Sequence, residues 1–226
     1  MKALQKIKYI ALCVLLVLAA GCTNTITEFG FDGEISGLLK DLDGNRLSGD
    51  ITSNSLIVRL KGESDVVTTD VRINGDGSFR NTKLYPQRYK MWVVGPVFWN
   101  QDTLNVDLGS GKRFEQDVLV TPFLSMDAPV AGSVTATGIE ISYRISGNDG
   151  KTVAARELYC STNPYPTTNT GSGPFYETRK ITLSGDSGKV TVSGLASKTK
   201  YYIRTGAQAT GSNLYNLSNQ IMVTTN

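Results

Sequence analysis

The chain has 226 residues, 40% of them hydrophobic and 19% charged, which is enough material for one large or two small globular domains. Its formal charge of +3 includes Lys2, Lys6 and Lys8 of an N-terminal segment expected to be removed, so the remainder is close to neutral and lacks the concentrated basic face that nucleic-acid binding needs. Histidine is absent, which excludes Ser-His-Asp and Cys-His catalysis and histidine-ligated zinc.

Residues 1–21 read as a secretory signal: lysines up to Lys8, then an apolar run from Tyr9 to Ala20 that ends in the small residues Ala19, Ala20 and Gly21. The run is short for a membrane span, which needs about 20 residues. Leu18-Ala19-Ala20-Gly21-Cys22 resembles the bacterial lipobox, with Ala19 where leucine is more usual. The resemblance implies cleavage before Cys22, acylation of Cys22 with palmitate-type chains and a lipid anchor, each buried methylene adding about 0.8 kcal/mol. Residues 22–33 are then a polar tether, and Thr23 in place of aspartate after the cysteine implies the outer membrane, on either its periplasmic or its cell-surface side. Cys13 leaves with the signal and Cys22 is acylated, so Cys160 stands alone, no intramolecular disulfide forms, and a buried inert thiol is expected.

From Glu34 to Pro122 strand and turn signals alternate. Ile35, Gly37 and Leu39 lead into Asp41-Leu42-Asp43-Gly44-Asn45, and Leu56 to Leu60 makes a second strand. The Asp41 loop lacks the glycine and glutamate register of a calcium-binding EF-hand, so it reads as a tight polar turn; neither metal nor cofactor is expected. Asn74-Gly75-Asp76-Gly77 is a turn flanked by Val67, Thr69, Val71 and Ile73 on one side and by Tyr89, Met91 and Val93 beyond it, and this spacing predicts a hairpin followed by an inner strand. Trp92 falls on the opposite face, where the second half of the chain is expected to cover it. Leu104, Val106 and Leu108 predict a further pair with Phe114, Val118 and Val120 across Gly109-Ser110-Gly111. After a crossing at Met126 to Pro129, Ile139, Ile141, Tyr143 and Ile145 alternate with polar residues, as do Ile203, Thr205, Ala207 and Ala209. The expected architecture is all-β, two tandem antiparallel β-sandwiches over 34–124 and 125–226.

Asp76-Gly77-Ser78-Phe79-Arg80-Asn81-Thr82-Lys83-Leu84-Tyr85, with Tyr89-Lys90 and the stretch Val118 to Pro122, resembles the N-terminal half of an uncharacterised two-domain lipoprotein family of Bacteroidetes, a half similar to transthyretin-like and carboxypeptidase-regulatory sandwiches. This chain departs from the family at Gln87, where glycine is usual. Val192-Ser193-Gly194-Leu195 through Thr199-Lys200-Tyr201 resembles the fibronectin type III pattern, in which the tyrosine hydroxyl ties down a corner between strands. The family resemblance implies a place beside an outer-membrane glycan-import system, with its import porin and companion lipoproteins as partners.

Two loops carry the candidate ligand chemistry. In Gly95-Pro96-Val97-Phe98-Trp99-Asn100-Gln101-Asp102, aromatic rings precede amides and a carboxylate, the mixture that packs on a sugar face and bonds its hydroxyls; Trp99 is the leading candidate, with Asn100, Gln101 and Asp102. The alternative is that Phe98 or Trp99 folds back to cap the sandwich end. Ser161 to Phe175 is a long polar loop holding Tyr165, with Tyr176 just past its end. The leading expectation is a non-catalytic glycan-binding accessory of polysaccharide uptake, and the alternative is a structural spacer contacting a transporter. An enzyme needs two converging carboxylates; Glu115 and Asp117 share one strand face and read more simply as outward residues.

Overall fold

The structure, a computed structural model, describes residues 30–53, 55–109, 112–169 and 178–226. All the strands among the described residues belong to one compact unit, Asp32–Asn226. Cys22, the signal segment, most of the tether, Phe175 and Tyr176 lie outside the described residues. No helix occurs among those described, and the chain is all-β, as expected.

The first half contributes β1 (Gly33–Lys40), β2 (Ile57–Gly62), β3 (Thr69–Arg72), β4 (Ser78–Leu84), β5 (Arg88–Val94), β6 (Val97–Phe98), β7 (Leu104–Asp107), β8 (Arg113–Glu115), β9 (Val118–Leu119) and β10 (Thr121–Pro122). One sheet runs β4-β1-β8 with β9 also on β1; the other runs β3-β2-β5-β7; β6 and β10 form a separate pair. Between the sheets Ile35, Leu39 and Phe79 meet Val58, Leu60, Val71, Met91 and Val106. Each such side chain contributes roughly 1.5–3 kcal/mol by leaving water. On β5 the expected alternation holds, with Tyr89, Met91 and Val93 buried. Trp92 is half-buried on the other face, across from Arg59, which is itself paired with Asp70 at 2.7 Å.

Two expected pairings are corrected. The turn at Asn74 forms, with the Gly77 amide donating to the Asn74 carbonyl at 3.0 Å and Gly77 at φ +82, but it joins β3 of one sheet to β4 of the other. Likewise β7 pairs with β5 while β8 pairs with β1, so these two strands are not neighbours. Turn residues dictate that the chain reverses; whether the returning strand joins the same sheet or the facing one depends on where the apolar faces find cover. A further feature is that β1 is parallel to both β8 and β9, within an otherwise antiparallel sandwich. At Gln87, the side chain takes up a structural role: its amide donates to Asp65 Oδ1 at 2.8 Å and its carbonyl accepts the Ser64 amide at 3.0 Å, pinning the β2–β3 turn.

The second half contributes β11 (Leu124–Met126), β12 (Val130–Val134), β13 (Gly138–Gly147), β14 (Val153–Ser161), β15 (Arg179–Thr182), β16 (Ser187–Ser193), β17 (Lys200–Ala209), β18 (Tyr215–Leu217) and β19 (Ile221–Thr224). One sheet is β11-β13-β12 with β16 on β13, the other β15-β14-β17-β18 with β19 on β17. Ile139, Ile141, Tyr143 and Ile145 point into the core, as expected. The Tyr201 ring is buried and its hydroxyl accepts the Ala196 amide at 2.9 Å, which is the corner role its pattern implied. Cys160 is wholly buried, and burial pushes its thiol up to about 12, so it stays protonated and unreactive in the native state.

A polar seam joins the two sandwiches. Ser48 of the first half bridges to Leu217 on β18, and the Asn216 side chain accepts the Leu124 amide at 3.1 Å while donating to the Pro96 carbonyl at 3.0 Å. Phe98 packs edge-on against Phe123 at 4.7 Å, with the Lys151 ammonium 4.4 Å from the Phe123 ring centre. At the middle of the seam sits the guanidinium of Arg204, with no exposed surface. It donates from Nη1 to Ser48 Oγ at 2.8 Å and to the Gly49 carbonyl at 3.1 Å, and from Nε to the Pro166 carbonyl. Burial lowers its pKa to about 10, still well above neutrality, so a cation is held inside.

Candidate functional site

The stretch Ser161 to Asn169 leaves β14 and turns back along the seam, and its course is set by buried polar groups. Asp50, 2% exposed, accepts the Thr168 amide at 3.0 Å and its hydroxyl at 2.5 Å, as well as both donors of Thr52. Burial pushes the Asp50 carboxyl upward, but the donors of Thr168 and Thr52 together outweigh it and hold the carboxyl below the usual aspartate value. Gln220 accepts the Tyr165 amide at 2.5 Å, and Arg204 holds the next residue's carbonyl. Tyr165 itself has φ +56, the left-handed region that non-glycine residues seldom adopt. Its ring lies on the backbone of Gly75, where an added Cβ would come within 2.3 Å of the ring's Cγ. The glycine of the Asn74 turn is thus a seat for an aromatic ring from the other sandwich as well as a turn residue.

Beside this loop is a cavity of about 400 Å³. Ile51 and Thr52 form one wall; Ser161, Asn163, Pro164, Tyr165, Pro166, Thr167 and Thr178 form the rest. An aromatic ring and two prolines supply flat apolar surface, while hydroxyls and an amide supply donors and acceptors. A second cleft of about 330 Å³ follows the seam between the Asp41 loop, Leu124 to Ala128 and Asn216 to Asn219. No aromatic ring lines it among the described residues. The Asp41 carboxylate there is engaged by its own turn, accepting the amides of Asp43 at 3.0 Å and Asn45 at 2.7 Å. No group of three or more metal-ligating side chains is assembled among the described residues.

The residues singled out in sequence separate into different environments. Trp99 is half-buried and packs against the first core, and its indole N–H is buried without a hydrogen-bond partner. Phe98 belongs to the seam. Asn100, Gln101 and Asp102 are exposed, and the Gln101 amide donates to the Leu119 carbonyl at 3.2 Å. None of these five lines the cavity that holds Tyr165. The structure therefore does not bring the Trp99 and Tyr165 loops into one site, and Tyr176 lies outside the described residues. Glu115 is exposed, and Asp117 accepts the Leu38 amide at 3.0 Å and the Lys40 ammonium at 2.5 Å, which accounts for it structurally. Sequence reasoning missed Asp50, Arg204 and Gln220, which shape the Tyr165 loop, and took Gly75 for a turn residue alone. Arg204 and Asp50 carry charge, and a charged residue in a strand or turn reads as solvent-facing unless its partners are known.

No family model matches the chain, and no curated protein matches it. Solved structures do. A DUF3823 family protein from Parabacteroides merdae superposes with a TM-score of 0.66 at 18% identity, over 84% of this chain and 98% of that one. A protein from Bacteroides uniformis named a "putative carbohydrate binding protein" gives 0.66 at 16% identity, over 86% and 100%. A DUF3823 family protein, also from B. uniformis, gives 0.64 at 19% identity, over 85% and 99%. The structural neighbours agree with the two-sandwich resemblance drawn from residues 76–90 and 192–201, and the chain has the fold of the DUF3823 proteins.

Proposed function

We propose that this protein is a non-catalytic glycan-binding accessory of a polysaccharide-uptake system, held at the outer membrane by acylated Cys22, with the cavity around Tyr165 as its sugar site. The observation that carries the reading is the fixed Tyr165 ring, seated on Gly75 and opening with Ser161, Asn163 and Thr52 onto a cavity of about 400 Å³. A pyranose offers an apolar C–H face and a ring of hydroxyls, and this lining offers an aromatic face and neutral hydrogen-bonding groups. The name of the B. uniformis neighbour supports the same class of ligand. The partners in this reading are an import porin and companion lipoproteins. Calorimetric titration of the mature chain with a panel of oligosaccharides tests the binding, and silence across the panel rejects it. Palmitate labelling tests the anchor, and an unlabelled protein rejects that part.

The alternative, a spacer that contacts a transporter and touches no sugar, is favoured by a different observation. Val66 and Val67 stand 93% and 74% exposed at the β2–β3 turn, whose carbonyls at Asp65 and Val66 are held by the Lys61 ammonium at 2.6 Å. A rigid apolar tip suits a protein contact. Val66→Ser with Val67→Ser that abolishes capture of a membrane partner, in a chain silent toward sugars, selects this reading.

A further inference from the structure

Charge around the Tyr165 cavity lies behind its walls. Among the described residues, no lining side chain carries a charge at neutral pH; the lining is tyrosine, isoleucine, prolines, hydroxyls and an amide. Asp50 and Arg204, one ion of each sign, bond to residues of this wall. Asp50 is 2% exposed, with its oxygens occupied by the donors of Thr52 and Thr168, and Arg204 is fully buried, bonded to Pro166, Ser48 and Gly49. Both act on the backbone and hydroxyls that form the wall, and neither lines the cavity. Arg72 donates to the Ile51 carbonyl at 3.5 Å, on the backbone side rather than among the lining side chains. A carboxylate or sulfate entering this cavity would lose water and gain no counter-charge from the described lining residues, a balance that disfavours it strongly. A hydroxyl entering the same place trades water for Ser161, Asn163 or Thr52 at little net cost.

Building on the saccharide reading, we propose that the Tyr165 cavity takes an uncharged sugar unit, a hexose or pentose without carboxylate or sulfate, laid on the Tyr165 ring. The site then discriminates against acidic polysaccharides by offering them no partner.

The test is titration calorimetry of the full mature chain with neutral probes (gluco-, manno- and xylo-oligosaccharides) and acidic ones (oligogalacturonates and chondroitin sulfate oligosaccharides). Neutral probes are expected to bind, with affinity changing less than about twofold between about 0.05 and 0.5 M NaCl, because no exposed ion pair is there to be screened. Tyr165→Ala is expected to weaken that binding at least about tenfold, the equivalent of losing about 1.4 kcal/mol of contact. Ile51 is 47% exposed at the rim, so Ile51→Lys keeps the fold and is expected to confer binding of the acidic probes, and it carries the test if Tyr165→Ala does not fold. Acidic probes that bind the unmodified chain and are lost in Tyr165→Ala, or released by salt, overturn the neutral class and leave the saccharide reading standing. Silence toward every probe overturns the saccharide reading itself. Neutral binding that both variants retain unchanged places the sugar elsewhere and overturns this assignment.

Discussion

The Gly95 to Asp102 loop has more of what a sugar site is made from than the Ser161 to Asn169 loop, yet the second forms the cavity. The difference is where each aromatic face is directed. Phe98 and Trp99 turn inward, one onto Phe123 and the other onto the first core. Tyr165 is held outward by a strained backbone and by four residues that are remote in sequence, Gly75, Asp50, Arg204 and Gln220. Aromatic residues at a sandwich end are first claimed by packing, which is worth more than an open surface, and become a platform only where other groups prevent their collapse.

Experiments can break this contrast. The largest effect is expected for Arg204→Ala, which leaves Ser48, Gly49 and Pro166 without their buried donor; it should cost about 3–5 kcal/mol, read as a lower urea midpoint, and should weaken sugar binding as well. Trp99→Ala should cost about 2–3 kcal/mol because a half-buried ring leaves the core, but oligosaccharide affinity should be unchanged; a loss of affinity at equal stability would return the site to this loop. Gly75→Ala puts a methyl where the Tyr165 ring sits, so about 1–2 kcal/mol of stability and most of the affinity should disappear together.

The smallest expected effect is acid sensitivity at Asp50. Its native carboxyl titrates below the unfolded value near 3.8, so its stabilisation is complete above that pH and is lost as pH falls below it. Urea midpoints measured at pH 7, 5 and 3 should fall mainly in the last interval, and Asp50→Asn should flatten that fall.

Much of the fold was legible because strand alternation is local. Tyr89, Met91 and Val93, or Ile139 to Ile145, face inward for reasons contained in a few consecutive residues. Tyr201 was legible for the same reason, since its hydroxyl reaches only five residues back. Sheet partners were not, because Asn74 to Gly77 encodes a reversal and nothing about which sheet receives the chain. The seam was least legible of all. Arg204 lies on the strand face opposite Ile203 and Thr205, where alternation assigns it to water, and only the facing sandwich turns that surface into an interior. The site inherits this obscurity, since its shape comes from contacts spanning up to 156 residues of chain.

The pairing of β1 on both edges, antiparallel with β4 on one side and parallel with β8 and β9 on the other, has a mechanical meaning for a chain proposed to hang from its N-terminal end. A tug transmitted through residues 30–32 would load this first strand along its own axis. It would have to slide past ladders on both flanks at once, a shearing geometry in which many hydrogen bonds resist together instead of parting one after another. The strand nearest the proposed tether is therefore gripped along both edges against drag.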